Sequence, residues 1–275
     1  MSGGAKMAIA DVSGKSIAEL VSLKGRVAVV TGGAQGLGRA MVNRLAEAGA
    51  SVLIIDLKAE QAEAAAAEVA KASGSRVIAA AIDVSDEAQV AKAADRVMAE
   101  LGGLDIWVNN AGLYPNVGIL DVAIEDWDQV MAVNLRGVFI GGRQAARRMI
   151  DTGKGGVIVN VVSTAGFKGV APGVTSYVTS KHGVRGMIKQ MALELAPHNI
   201  RVLGVAPTFC KTEGNMAALA HLPERVRSEI SATMSSLLGR VGVPDDIARA
   251  VLFCASDMAM FMTGSTLLVD AGETI

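Results

Sequence analysis

The chain has little of what marks the specialised protein classes. Of its 275 residues, five are Phe, two Trp and two Tyr; cysteines number two, histidines three and prolines six. Scarce aromatics argue against an all-β sandwich, whose strands use them heavily. Cys210 and Cys254 are too few for a disulfide framework or a zinc site and read as reduced thiols. No His pair or carboxylate cluster has metal-ligand spacing, so no catalytic metal is expected. Charge of one sign is missing too: 26 Lys and Arg balance 27 Asp and Glu, a formal net of −1. With no basic stripe to neutralise phosphates, nucleic acid is not an expected partner. No apolar run reaches the roughly 18 residues that a membrane span needs. The first 23 residues are interrupted by Asp11 and Lys15 and match neither a signal peptide nor an Arg-rich transit peptide. Together these absences predict a cytoplasmic protein with no membrane partner.

What is present is aliphatic. Hydrophobic residues make up 51% of the chain and glycines number 31, which excludes disorder. The glycines keep no period of three, which excludes collagen. Short apolar runs predict strands over 27–30, 52–55, 77–82, 104–108, 157–162, 200–205 and 266–269. Helical stretches are predicted between them over 37–48, 59–72, 85–101, 124–149 and 176–195, with another at 244–255. Gly49 and Gly74 are the expected stops of the first two helices, and Ser85 the expected N-cap of the third. Residues 207–243 read as irregular.

Strands that are solid Val, Ile and Leu are buried on both faces, which means a parallel sheet covered by helices. Right-handed crossovers then give an α/β, doubly wound sheet of about seven strands with helices on both faces. A (β/α)₈ barrel would need an eighth strand. No linker or repeat divides the alternation. The expected layout is an extension over residues 1–22 and one domain over 23–275, with a substrate loop at about 207–243.

The first strand runs into Thr31-Gly32-Gly33-Ala34-Gln35-Gly36-Leu37-Gly38. Glycines let a backbone approach a phosphate with no Cβ in the way, and the helix that follows aims unpaired N–H groups and its positive end at the anion. The spacing, G-x-x-x-G-x-G, differs from the common dinucleotide fingerprint. The second strand ends at Asp56, 24 residues after Gly32. A carboxylate there can accept hydrogen bonds from a ribose diol and repels a 2′-phosphate, which favours NAD over NADP. Asp56 could equally cap the next helix, and Lys58 could serve a phosphate.

Further along come Asn109-Asn110-Ala111-Gly112, Asn134, Ser163 and Tyr177-(x)₃-Lys181. With the Gly-rich turn, in this order and on these elements, the set closely resembles the short-chain dehydrogenase/reductase family, over residue 23 to the C-terminus. The resemblance implies a Rossmann-type domain, a nicotinamide cofactor and the catalytic residues Asn134, Ser163, Tyr177 and Lys181. Tyr177 and Lys181 are four apart, so a helix puts them on one face. An ammonium near a phenol lowers the phenol's pKa from about 10, and oxidised nicotinamide would push the same way. Tyr177 then serves as general base on an alcohol or general acid to a ketone. Ser163 ends the fifth strand, where it could hold the substrate oxygen, and Lys181 could also bond the nicotinamide ribose.

The resemblance assigns the cofactor to Gly32, Gln35, Gly36, Leu37 and Gly38, to Asp56 and Leu57, and to Asp83 and Val84 beside the adenine. Asn110, Ala111 and Gly112 line the adenosine path and brace the sheet, and Tyr177 and Lys181 reach the ribose. Pro207, Cys210 and Thr212 flank the carboxamide. It also assigns Asn134 to a water linking Lys181 to solvent, and the assembly to a homotetramer or dimer built on the long helices and last strand. Two positions depart from the pattern: Thr208 replaces a glycine, and Asp270-Ala271-Gly272 replaces Asp-Gly-Gly.

Three stretches above the strand ends carry Tyr114, Phe167, Val170, Phe209, Met216, Leu219, Met234 and Leu237. They predict an apolar pocket and a small-molecule substrate: a hydrophobic or cyclic secondary alcohol or ketone. An NADPH-dependent carbonyl or 3-oxoacyl thioester reductase is the alternative, and a non-enzymatic nucleotide-binding protein a further one. His182, beside Lys181, faces another way on the helix and is expected to be structural or at the pocket. His198 is expected in solvent, as is His221. Cys210 has no evident base beside it and is expected to act through its backbone.

Overall fold

The aliphatic runs form one parallel sheet. The computed structural model describes residues 9–220 and 236–275, so His221 and Met234 lie outside the described residues. The strands are β1 (Val27–Thr31), β2 (Ser51–Asp56), β3 (Val77–Ala81), β4 (Ile106–Asn109), β5 (Gly156–Val161), β6 (Ile200–Pro207) and β7 (Thr266–Val269). Their order is β3-β2-β1-β4-β5-β6-β7, parallel throughout. The winding reverses between β1 and β4, and the carboxyl ends there open the crevice in which such sheets bind ligands. The α-helices among the described residues are α1 (Ile17–Val21), α2 (Gly36–Glu47), α3 (Ala59–Ser73), α4 (Glu87–Leu101), α5 (Ile124–Met131), α6 (Gly137–Thr152), α7 (Thr175–Leu195), α8 (Glu213–Ala220) and α9 (Pro244–Ala255).

Two cores explain why the strands read as unbroken apolar runs. Ala28, Val30, Val157 and Val159 pack with Met41 of α2, Val69 of α3 and Val251 of α9. The alternate strand residues Val27, Val29 and Ile158 pack on the other face with Val90 of α4, Met149 of α6 and Ile188 of α7. A strand that serves both cores has no face left for polar residues. Trp107, wholly buried in β4, donates from Nε1 to Asn109 Oδ1 (2.7 Å). Asn109 passes the chain on to Asn160 Oδ1 (2.9 Å), and Asn160 donates to the Leu203 carbonyl (3.3 Å). Paired in this way, three polar side chains cross the middle of the sheet without the penalty of unmet hydrogen bonds.

The structure corrects several local expectations. Helix α4 starts later, and its N-cap is Asp86, which accepts from Ala88 N (2.9 Å) and Gln89 N (3.1 Å). A carboxylate accepts two amides at once and complements the helix dipole, so it displaces the hydroxyl of Ser85. Ser85 instead donates to Asp83 Oδ1 (2.7 Å). The single helix expected over 124–149 is interrupted by a π turn at Ala132–Arg136, which carries the fully buried Asn134. The irregular stretch after Pro207 contains α8. The N-terminal segment adds α1 behind a Ser16–Glu19 capping box, and Lys15 Nζ docks it on buried Asp257 (2.5 Å), which Arg26 also pairs. Among the described residues, no helix is long and apolar enough to cross a membrane, and no cluster of His, Cys, Asp or Glu could hold a metal ion.

Candidate active site

At the end of β1 the chain turns so tightly that glycine is obligatory. Gly32 and Gly36 take left-handed backbone angles, φ 63° and 56°. A Cβ on Gly38 would lie 2.0 Å from the Gly32 carbonyl oxygen and 2.6 Å from Asn110 Nδ2. The exposed Gln35 opens α2 with no side-chain cap, so the first amides of α2 carry no capping side chain. A bare helix start above a glycine cradle suits a phosphate. Leu37 turns its side chain partly into the core beneath, which leaves its backbone to the turn. Gly38→Ala is expected to lower nicotinamide cofactor affinity at least tenfold and stability by about 2 kcal/mol, because the turn must move off the clash. Calorimetric titration and thermal unfolding check it; wild-type affinity would show that the cradle is not used.

Asn110, directly after β4, braces this turn. Its amide donates to Thr31 O (2.9 Å) and Gly32 O (3.1 Å), while Thr31 Oγ1 accepts from the backbone N–H of Asn110 (2.9 Å) and Ala111 (3.0 Å). Thr31 opens the Gly-rich turn in the sequence but was given no role there; its place at a strand end, directly before the glycines, was the available signal. Asp56, at the end of β2, accepts from Ala34 N (3.2 Å) and Lys58 N (3.4 Å). Leu57 beside it is 68% exposed. Asp83 spends one oxygen on Ser85, and Val84 lies over Gly137.

Past the buried end of β6 at Pro207, Thr212 passes over the turn, and a Cβ on Gly36 would meet its side chain at 3.5 Å. Cys210 is buried, and its Sγ donates to the Thr208 carbonyl (3.5 Å); burial, then the Asp246 charge, push its thiol up to about 11 against the weaker pull of Arg240. It is therefore no ready nucleophile.

Ser163, Tyr177 and Lys181 converge at the carboxyl end of β5. Ser163 follows the strand and caps a short 3₁₀ turn, accepting from Ala165 N (3.1 Å), and its hydroxyl lies close enough to Tyr177 to favour the phenolate. Lys181, one turn of α7 beyond Tyr177, is buried; its Nζ donates to the Val161 carbonyl (2.8 Å) and lies 5.5 Å from the Tyr177 ring centroid. Burial pushes Tyr177 up to about 12, against the opposing pull of the nearby Ser163 hydroxyl. Burial also draws Lys181 down to about 8. The lowered phenol pKa expected from the spacing is thus not that of the ligand-free chain. Desolvation penalises the charged form of each partner, and neither shift is offset by the other's charge.

Asn134 does not reach Lys181 with its side chain. Its Oδ1 accepts Leu113 N (2.8 Å), and its Nδ2 donates to Leu113 O (2.9 Å) and Ser180 Oγ (3.3 Å). Ser180 in turn donates to the Tyr177 carbonyl (2.7 Å). Asn134 therefore ties the π turn to the segment after Gly112 and to the backbone behind Tyr177. A Cβ on Gly112 would crowd Asn134 Oδ1 at 3.3 Å. Leu113 and Ser180 gave no sequence signal, since one contributes only backbone and the other is an ordinary helix serine.

Tyr114 sets its ring edge against Tyr177 (centroids 4.7 Å apart, 83° between planes) and is half exposed. Phe167, expected in the pocket, packs against the core under the Arg185 guanidinium (3.9 Å). His182 is exposed with Nδ1 on the Val178 carbonyl (3.0 Å), and His198 is exposed as expected.

A family model described as short chain dehydrogenase matches residues 26–222. A cyclopentanol dehydrogenase of a Comamonas species is 39% identical over 249 residues, 90% of this chain and 97% of the relative. A 3-oxoacyl-(acyl-carrier-protein) reductase of Aquifex aeolicus is 35% identical over 252 residues, 92% and 98% of the two chains. Among solved structures, a gluconate 5-dehydrogenase from Burkholderia cenocepacia, in complex with NADP and tartrate, superposes with a TM-score of 0.86 at 34% identity, covering 94% of this chain and 99% of its own.

Proposed function

The chain belongs to the short-chain dehydrogenase/reductase family, and from that premise we propose that it is an NAD-dependent oxidoreductase of hydrophobic or cyclic secondary alcohols and the matching ketones. The observation that carries this reading is the convergence of Ser163, Tyr177 and Lys181 beside a glycine cradle. The residues present fit a dinucleotide: a turn that only glycine allows, an uncapped start of α2, and Asp56 at the end of β2. When bound, the nicotinamide supplies the hydride acceptor or donor. Tyr177 takes the alcohol proton in oxidation and returns it in reduction. Ser163, whose hydroxyl lies beside Tyr177, holds the substrate oxygen at the same point. Lys181 holds a proton behind the phenol and binds the nicotinamide ribose, while Asn134 fixes the backbone around both.

Asp56 favours NAD, since its carboxylate suits a ribose diol and repels a 2′-phosphate. Initial rates with NAD and NADP over a panel of secondary alcohols test the reading. Faster turnover with NADP would sink the cofactor assignment, and faster oxidation of sugars and polyols the substrate class. Asp56→Ala is expected to shift the NAD-to-NADP ratio of kcat/KM by about two orders of magnitude, the worth of charge-assisted hydrogen bonds plus a removed repulsion. The likeness to the Aquifex reductase, and Lys58 beside Asp56, favour an NADPH-dependent reductase as the second reading.

The apolar substrate class rests on the half-exposed Tyr114 and Met216, the exposed Leu237, and Val170 and Phe209. For assembly we propose a homotetramer. Exposed Phe139 on α6, Leu193 on α7, and Phe261 and Leu268 around β7 are apolar groups of the kind that subunit contacts cover. With Cys210 and Cys254 both free and buried, the reducing cytoplasm is the proposed compartment.

A further inference from the structure

The C-terminal turn reaches back across the sheet edge to the candidate active site. Strands β5, β6 and β7 are neighbours, and their carboxyl ends lead into the segments that begin at Val162, Thr208 and Asp270. Glu273 joins all three. Its Oε2 accepts the Thr208 hydroxyl. Lys168 Nζ donates to the Glu273 carbonyl oxygen (3.0 Å) and pairs with Oε1 (3.4 Å). The turn that delivers Glu273 is itself pinned, because buried Asp270 accepts from Gly272 N (3.1 Å), Thr274 N (3.0 Å) and the Thr274 hydroxyl (2.7 Å). Ala271, at φ 51°, takes a backbone angle that L-residues rarely adopt, and its carbonyl accepts Leu237 N (3.0 Å). Thr208 stands where the family pattern has glycine, and a glycine would offer Glu273 no hydroxyl.

We propose that Glu273 is a positioning residue of this active site. Through Lys168 and Thr208 it fixes the spacing between the segment after Ser163 and the segment after Pro207, and this spacing sets substrate affinity. Glu273 touches none of the reacting groups. The kinetic half of the inference rests on the proposed dehydrogenase reading; the structural half does not.

The test uses the full chain. Glu273→Ala is expected to raise KM for a secondary alcohol about tenfold, with kcat within about threefold and NAD affinity within about twofold. Thr208→Val should raise KM in the same direction, by no more than Glu273→Ala does, and Thr208→Ser should keep the wild-type KM. The double variant Glu273→Ala, Thr208→Val should be no worse than Glu273→Ala alone, because that substitution already removes the Thr208 bond. Amide hydrogen exchange needs no substrate; in Glu273→Ala it should quicken over residues 164–170 and 208–212. An unchanged KM, additive losses in the double variant, a Thr208→Ser that fails to hold the wild-type KM, or unchanged exchange would each overturn the proposal. Quickened exchange in a protein that oxidises no secondary alcohol would instead overturn the dehydrogenase reading and leave the positioning of the two segments standing.

Discussion

Tyr177→Phe loses about 10³-fold or more in turnover while NAD binding stays within about twofold. The variant keeps the ring, its edge contact with Tyr114 and the packing of α7, and removes only the group that moves the proton. The phenol is deeply seated although part of the ring surface remains open, and burial holds it near 12. Two pH profiles follow. Ketone reduction needs the protonated phenol, which is available at every pH below that value. Alcohol oxidation needs the phenolate, so its rate climbs with pH through the alkaline range. Steady-state rates in both directions, with cofactor affinity from titration, check both halves. Full turnover in Tyr177→Phe, or an oxidation rate that falls as pH rises from 7 to 9, would remove Tyr177 from the assigned role.

Lys181→Met is expected to abolish most activity and yet to stabilise the ligand-free protein near pH 7. Burial draws the Lys181 ammonium from 10.5 down to about 8, which corresponds to about 3 kcal/mol spent on holding the charge inside. The methionine loses the bond to the Val161 carbonyl, a cost of about 1 kcal/mol. The net gain is about 2 kcal/mol, or roughly 5 °C in Tm for a chain of this size. The sign with pH is fixed. Below pH 8 lysine is protonated in both the folded and the unfolded state, and the folded state bears the penalty. Between 8 and 10.5 the unfolded state binds more protons, so the stability of the wild type rises with pH. The advantage of the methionine variant therefore shrinks across that window. Thermal unfolding of both proteins from pH 7 to 10.5 measures it. A variant less stable than wild type at pH 7, or a Tm difference that ignores pH, would show that the buried ammonium carries no such penalty. A residue kept at a cost in stability is what a functional site requires.

Much of the fold was legible because local pattern and burial agree. Val27 to Val30 could be read as a doubly buried strand from four letters, and the same logic gave all seven strands. Boundaries slipped where a nearby competitor for the same hydrogen bonds existed: Asp86 outbid Ser85 for the start of α4, and a π turn divided the helix around Asn134. In the site, the glycine cradle and the Tyr177–Lys181 pair were legible because each is set by spacing within one turn or one helix. The setting of Phe167 was not legible, because its place after the 3₁₀ turn does not say which way the side chain turns; Arg185, a full turn along α7 from Lys181, lies over its ring.

The sequence alone thus determined the alternation of strand and helix, the parallel sheet buried on both sides, and the candidate residues at its carboxyl edge. These follow from periodicities of two and 3.6 residues and from glycine's missing Cβ, all of which act over short stretches of chain. Only the tertiary structure decided where Asn134 spends its amide and which way burial moves Tyr177 and Lys181. Only it set Glu273 between Lys168 and Thr208, 105 and 65 residues away. Solvation and long-range hydrogen bonding depend on which surfaces meet when the sheet closes, and no local stretch of the chain encodes that meeting.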